Sequence, residues 1–128
     1  MCGLLGVIAT ENEHLSSEDI KKVLSIGNLA QRRGVDASGL VLIEGNQNIH
    51  VVKANHGFET MIETKAAADL LETGEQAQSF GLFGHSRLET HGYSGSQVNN
   101  QPVVLGNWVV VHNGVITNAK EIKDSLGL

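Results

Sequence analysis

The chain reads as an α+β protein, with antiparallel strands and helices collected on their outer faces in a layered sandwich. Two kinds of segment predict this, together with their order. Short apolar or β-branched runs recur at Leu4 to Ala9, Ser38 to Ile43, Ile49 to Lys53, Phe80 to Arg87 and Val103 to His112, and helix-like stretches lie between them. The order strand, helix, strands, helix, strands, helix packs most simply as antiparallel sheet layered with helices.

Leu4 to Ala9 is apolar and bounded by polar residues, which suits a strand buried on both faces and places Cys2 at the mouth of a core strand. Ser16 with Asp19 has the form of a capping box, and Ile20, Val23, Leu24 and Gly27 fall on one helical face, so residues 17 to 32 are expected to be an amphipathic helix. After Arg33-Gly34, a hairpin is expected from Ser38 to Lys53, turning at Glu44-Gly45-Asn46. Thr64 to Leu71, rich in Ala and Leu, predicts a short helix ended by Glu72-Thr73-Gly74. Glu89 to Gln101 is polar and glycine-containing, the longest loop, and loops of that length tend to be functional or mobile. Val103 to His112 is a strand pair or one interrupted strand around Gly106-Asn107, and Asn118 with Glu121 can cap a last helix packed through Ile122 and Leu126.

A length of 128 residues suits one domain with a single core, and the 41% apolar and 18% charged fractions are those of a folded soluble protein. A formal charge of −5, with no basic cluster beyond Arg32-Arg33, argues against nucleic acid and anionic membrane as partners. The apolar runs are far shorter than the about 20 residues that span a bilayer, and no positive charge precedes the first of them as a secretory signal would require. With one cysteine there is no internal disulfide, and the cytoplasm is the expected compartment. The six histidines show no ligand spacing, so no metal site is expected.

The single cysteine stands at position 2, behind Met1 and ahead of Gly3. A lone cysteine is often a small buried hydrophobe, and one near a terminus can be a lipidation site, although the Met-Gly start that accepts myristate is absent. Removal of Met1 would place a free α-amine beside the thiol. Such amines titrate near ~7.7–8.0 and thiols near ~8.5, so the amine can take the thiol proton at neutral pH. Three further segments carry unusual combinations: Arg32 to Gly39, Gly84 to Gly92, and Val111 to Asn118. Each alone is weak, since Asn-Gly is most often a tight turn and an arginine at a strand end is most often a surface charge.

Taken in order with Cys2-Gly3, these segments resemble the glutaminase domain of the class II glutamine amidotransferases. His85 to Gly92 echoes the family's His-Thr-Arg-Trp-Ala-Thr-His-Gly stretch, and Val110 to Gly114 reproduces its Val-Val-His-Asn-Gly. The resemblance covers nearly the whole chain and implies an N-terminal nucleophile hydrolase-like αββα sandwich of antiparallel sheets, of which residues 1–128 would be the first part. It implies hydrolysis of the glutamine side-chain amide through a cysteinyl thioester, with ammonia passed to an acceptor. The expected acceptor is fructose 6-phosphate, in amino-sugar synthesis. On this match Cys2 is the nucleophile, Asn113 and Gly114 form the oxyanion hole, Arg87 binds the substrate carboxylate, and Thr90 and His91 close over the same end of glutamine. Arg33 and Asp36 take supporting places behind the site. No cofactor is implied. The partners implied are glutamine and an ammonia-accepting synthase domain or subunit outside this chain, and oligomerisation is left open.

The sequence departs from the family at Leu88, where a tryptophan associated with gating ammonia stands, and at Glu89, where the family has alanine. It also stops at Leu128, ahead of the portion that holds the acidic partner of the substrate's α-amino group, so a truncated domain is expected. Two readings follow: an amidotransferase glutaminase, or a truncated, catalytically idle domain that acts only as a binding or assembly module.

Overall fold

A computed structural model of the chain describes residues 2–10, 13–89 and 95–127. Strand β1, Gly3–Ile8, leads to helix α1, Ser17–Ala30, whose start is set chemically: the Ser16 hydroxyl accepts the Asp19 N–H while the Asp19 carboxylate accepts the Ser16 N–H at 3.0 Å. Such caps are worth about 1 kcal/mol. The helix tightens into a single 3₁₀ turn at Gln31–Arg33. The β2–β3 hairpin follows, Ala37–Glu44 and Ile49–Ala54, then α2, Phe58–Ile62, and α3, Lys65–Gln76. Strand β4, Ser79–Arg87, completes the main sheet; β5, Val103–Leu105, β6, Trp108–Val110, and α4, Ala119–Leu126, come after it.

The sheet is antiparallel throughout, in the order β1-β4-β2-β3. Because side chains alternate across a strand, Leu5, Leu40, Leu42, Ala54 and Leu82 share one face and form the core with Ile20, Val23, Phe58, Met61 and Leu70 from the helices. Full burial of each such large side chain stabilises by about 1.5–3 kcal/mol. Gly27 lets α1 approach α2: a Cβ there would lie 2.2 Å from the Phe58 ring.

The opposite face of the sheet is different. On the edge strand β1, Leu4 and Ile8 remain 45% and 58% exposed, while over β2 the segment Asn100 to Pro102 lies directly on the sheet. Gly39 makes that approach possible, since a Cβ on it would meet the Gln101 carbonyl oxygen at 2.2 Å.

Several expectations are corrected. β1 is buried on one face only, its residues alternating between core and solvent. α2 has no counterpart in the sequence reading, because five residues opened by Gly57 are too short to show a helical period. α3 runs through Gly74 to Gln76, and Gly74 packs against Leu42 and Ile20. Asn118 precedes α4 without making a side-chain cap.

The largest correction concerns the fold class. The expected αββα sandwich of stacked sheets is not what the described residues form. They form one four-stranded sheet with α1 to α3 on a single face, and β5 and β6 pair only with each other as a separate ribbon. The ribbon's strands are three residues each, and residues 112–127 are all exposed, so no second layer is built against the sheet. Among the described residues no helix is long and apolar enough to cross a membrane.

Candidate active site

Cys2 sits immediately before β1, at the edge of the sheet, beside the end of β4 to which β1 is paired. Its thiol lies 3.8 Å from the Leu88 carbonyl oxygen, just past that end. A cavity of about 270 Å³ opens here, and Cys2, Arg87, Gln101, His112 and Gly114 all contribute to its wall. Residues far apart in sequence are therefore brought to one small concavity, the arrangement expected of a ligand site.

Arg87 is 6% exposed and is held from behind. Its Nη1 donates to Asn100 Oδ1 at 2.7 Å; Asn100, fully buried, donates through Nδ2 to Asn55 Oδ1 at 2.9 Å and accepts from Lys53 Nζ on its carbonyl at 2.8 Å. Burial of the Lys53 ammonium pushes its pKa below the ordinary lysine value. Asp36 shapes the exit from β4: its N–H donates to the Arg87 carbonyl at 3.0 Å, and its carboxylate accepts the Glu89 N–H at 2.6 Å.

The segment after β6 is tied back by Gln101. Its Nε2 donates to the His112 carbonyl at 3.0 Å and its Oε1 accepts the His112 N–H, so one side-chain amide satisfies both backbone groups of that residue. Asn113, next along, donates through Nδ2 to the Cys2 carbonyl at 2.9 Å. Beneath the site, His85 on β4 is fully buried, and neither ring nitrogen has a hydrogen-bond partner among the described residues. Loss of hydration pushes its pKa down to about 4, with the His112 backbone opposing the shift and the Arg87 charge adding to it.

Cys2, Arg87 and Gly114 therefore converge on the cavity. Asn113 is bonded to Cys2 but lines a neighbouring groove with Arg33, Gly3 and Ile26, whereas Gly114 lines the cavity itself; Cys2 borders both. Asp36 supports the Arg87–Glu89 backbone from outside the cavity wall. Thr90 and His91 lie outside the described residues. Asn100, Gln101, Asn55 and Lys53 were not singled out from sequence. The available signal was the polar run Asn99-Asn100-Gln101 directly before the single proline, Pro102. Among the described residues no group of three or more His, Cys, Asp or Glu is placed to hold a metal ion.

The motifs and their convergence on one cavity fit the class read from sequence: the chain is similar to glutamine amidotransferases. The similarity is to curated glutamine–fructose-6-phosphate aminotransferases and extends over 98% of the chain. It is 32% identical over 130 residues to the enzyme of Wigglesworthia glossinidia brevipalpis, 31% over 129 residues to that of Acinetobacter baylyi, and 29% over 128 residues to that of Sulfolobus acidocaldarius. The chain spans about a fifth of the length of these relatives, between 18% and 20%. No protein-family model matches it.

Among solved structures it is similar to a complex of the beta-clamp processivity factor and the little finger domain of PolIV, with TM-score 0.45, 14% identity and coverage of 80% of this chain and 98% of that one. It is also similar to a post-insertion binary complex of Dbh DNA polymerase, with TM-score 0.40, 16% identity and coverage of 66% and 28%. Likenesses this loose say nothing of function.

Proposed function

We propose that this chain carries the glutaminase half-reaction of a glutamine amidotransferase, with Cys2 as nucleophile. The observation that carries the reading is the convergence of Cys2, Arg87 and Gly114 on one cavity from distant parts of the sequence. The similarity to glutamine–fructose-6-phosphate aminotransferases over 98% of the chain supports glutamine as the substrate.

With Met1 removed, the Cys2 α-amine takes the thiol proton as Sγ attacks the side-chain amide carbon of glutamine. The carbonyl π pair moves onto oxygen, and the oxyanion is stabilised from the Asn113–Gly114 side, a type of contact worth about 3–4 kcal/mol per donor. Collapse breaks the C–N bond, the ammonium proton passes to the leaving nitrogen, and ammonia departs from a thioester. Water, deprotonated by the same amine, then releases glutamate and restores the thiol. Arg87 offers its planar guanidinium fork to the substrate α-carboxylate. Thr90 and His91 complete that end of the pocket on the motif match, and Arg33 and Asp36 support the loops around it. The ammonia goes to fructose 6-phosphate through a synthase domain or subunit outside these residues.

The test is glutamate release from L-glutamine by protein whose intact mass shows Met1 removed. Release is expected, abolished by a thiol alkylator and by Cys2→Ala; persistence in Cys2→Ala would sink the nucleophile assignment. One observation favours the second reading, an idle binding module: the Asn113 donor is engaged by the Cys2 carbonyl and lines the neighbouring groove, whereas Gly114 lines the cavity. Well-folded protein without Met1 that releases no glutamate would establish that reading instead.

A further inference from the structure

We propose that the adjacent residues Asn100 and Gln101 are positioning residues for the two halves of the site. Asn100 sets the Arg87 guanidinium for a carboxylate, and Gln101 sets the backbone of residues 112–114 for the oxyanion. The assignment of those two halves rests on the glutaminase reading above; the role of the pair does not.

The geometry divides the labour by direction. Asn100 points into the protein and is fully buried; its Oδ1 takes Arg87 Nη1 at 2.7 Å, and its own place is fixed by Asn55 and Lys53. A guanidinium on a flexible stem loses rotamer entropy on binding an anion, and one already held loses less. Asn100 is a neutral amide, so it orients the fork without itself neutralising the charge that must meet the carboxylate. A carboxylate at position 100 would orient it equally well and would weaken its pull on a second anion.

Gln101 reaches the other way. Its amide pairs with both the N–H and the C=O of His112, as a strand neighbour would, one residue before Asn113 and two before Gly114. The same stretch is tied a second time by Asn113, whose amide donates to the Cys2 carbonyl at 2.9 Å; otherwise residues 112–127 are exposed and, among the described residues, β6 pairs with β5 alone. The common foundation is Gly39, whose bare Cα lets the Gln101 backbone rest on β2. One short segment seated on the sheet thus reaches both sides of the cavity.

Orienting a substrate carboxylate acts on ground-state binding, whereas orienting an oxyanion hole acts in the transition state. Glutaminase kinetics on the full chain should therefore separate the two residues. Asn100→Leu is expected to raise KM for glutamine at least about tenfold with kcat within about twofold, the loss of a hydrogen bond to a charged group. Gln101→Leu is expected to lower kcat by about tenfold to a hundredfold with KM nearly unchanged, the penalty for a slightly misplaced catalytic group. If either leucine variant does not fold, the near-isosteric Asn100→Asp and Gln101→Glu carry the same expectations. A KM for Asn100→Asp equal to that of the parent protein, or changes in the same parameter for both residues, would overturn the proposal.

Two readouts need no turnover. The Arg87 Nη protons should give separate NMR signals that merge in Asn100→Leu, and the His112 amide should exchange at least about tenfold faster in Gln101→Leu, the loss of a hydrogen bond being worth about 1 kcal/mol or more. Parent protein that shows both effects but hydrolyses no glutamine would remove the glutaminase reading and keep the pair's positioning role. Absence of both effects would remove the pair's role, whatever the activity.

Discussion

His85 shows how a single residue can link the site to the stability of the fold. Its imidazole is fully buried without a hydrogen-bond partner among the described residues, and its pKa is pushed down to about 4. A folded-state pKa below the unfolded value of 6.5 means that the unfolded chain binds the proton more readily. Stability from this residue is therefore present in full above pH 6.5 and falls as the pH drops from 6.5 towards about 4. Between pH 7 and pH 5 the loss should be about 2 kcal/mol. Urea unfolding of the parent protein and of His85→Leu at both pH values would check it: the parent should lose that much more than the variant over the interval. Equal slopes would mean that the ring is hydrated or partnered. None of this was legible in sequence, where His85 is only the first residue of a motif; what matters is that strands pair on both sides of it and the segment after β6 passes close by.

At the scale of elements, the match between sequence and structure follows how local each determinant is. The Ser16–Asp19 cap, the apolar face of α1 and the β2–β3 hairpin lie within short stretches, and each is found within a few residues of its expected bounds. The cavity wall was partly legible, since Cys2, Arg87 and Gly114 were named from motifs and do converge. What could not be read was the approach of Asn100 to Pro102 onto β2, because it depends on an absent side chain at Gly39 more than sixty residues earlier. Gly39→Ala tests that contact. The added methyl would press on the Gln101 carbonyl, and overpacking of this kind costs about 1–3 kcal/mol. The expected result is a lower denaturation midpoint together with changes in both KM and kcat for glutamine, since both sides of the cavity hang from the displaced segment. A variant with parent-like kinetics would show that the segment moves without disturbing the site.

Across the whole molecule, order is unevenly distributed. The sheet and α1 to α3 share one core, while every described residue of α4 is exposed. An isolated helix of this length is marginal in water, and most helical stability comes from packing of an apolar face. Hydrogen exchange should therefore divide the chain sharply: amides of β2 and β4 exchange only on global unfolding, and those of α4 exchange at close to the unprotected rate. Slow exchange in α4 would show that Ile122 and Leu126, 42% and 65% exposed, are covered in solution by something outside these residues. The same unevenness explains the failed expectation of a second sheet. The apolar, β-branched runs on either side of Gly106-Asn107 announce strands, but strand pairing alone does not stack one sheet on another without an apolar layer between them.

The hydrogen bond from Asn113 to the Cys2 carbonyl spans 111 positions of the chain. Closing a loop of that length costs conformational entropy that grows as about (3/2)RT ln n, and contacts so distant in sequence form late in folding. The thiol can meet its surroundings only after the β1–β4 pairing and the return of the chain past β6 have both occurred. A nascent or partly unfolded chain therefore holds a cysteine and an arginine that have not yet met. The chemistry of Cys2, whatever its substrate, reports completion of the fold from one end of the described chain almost to the other.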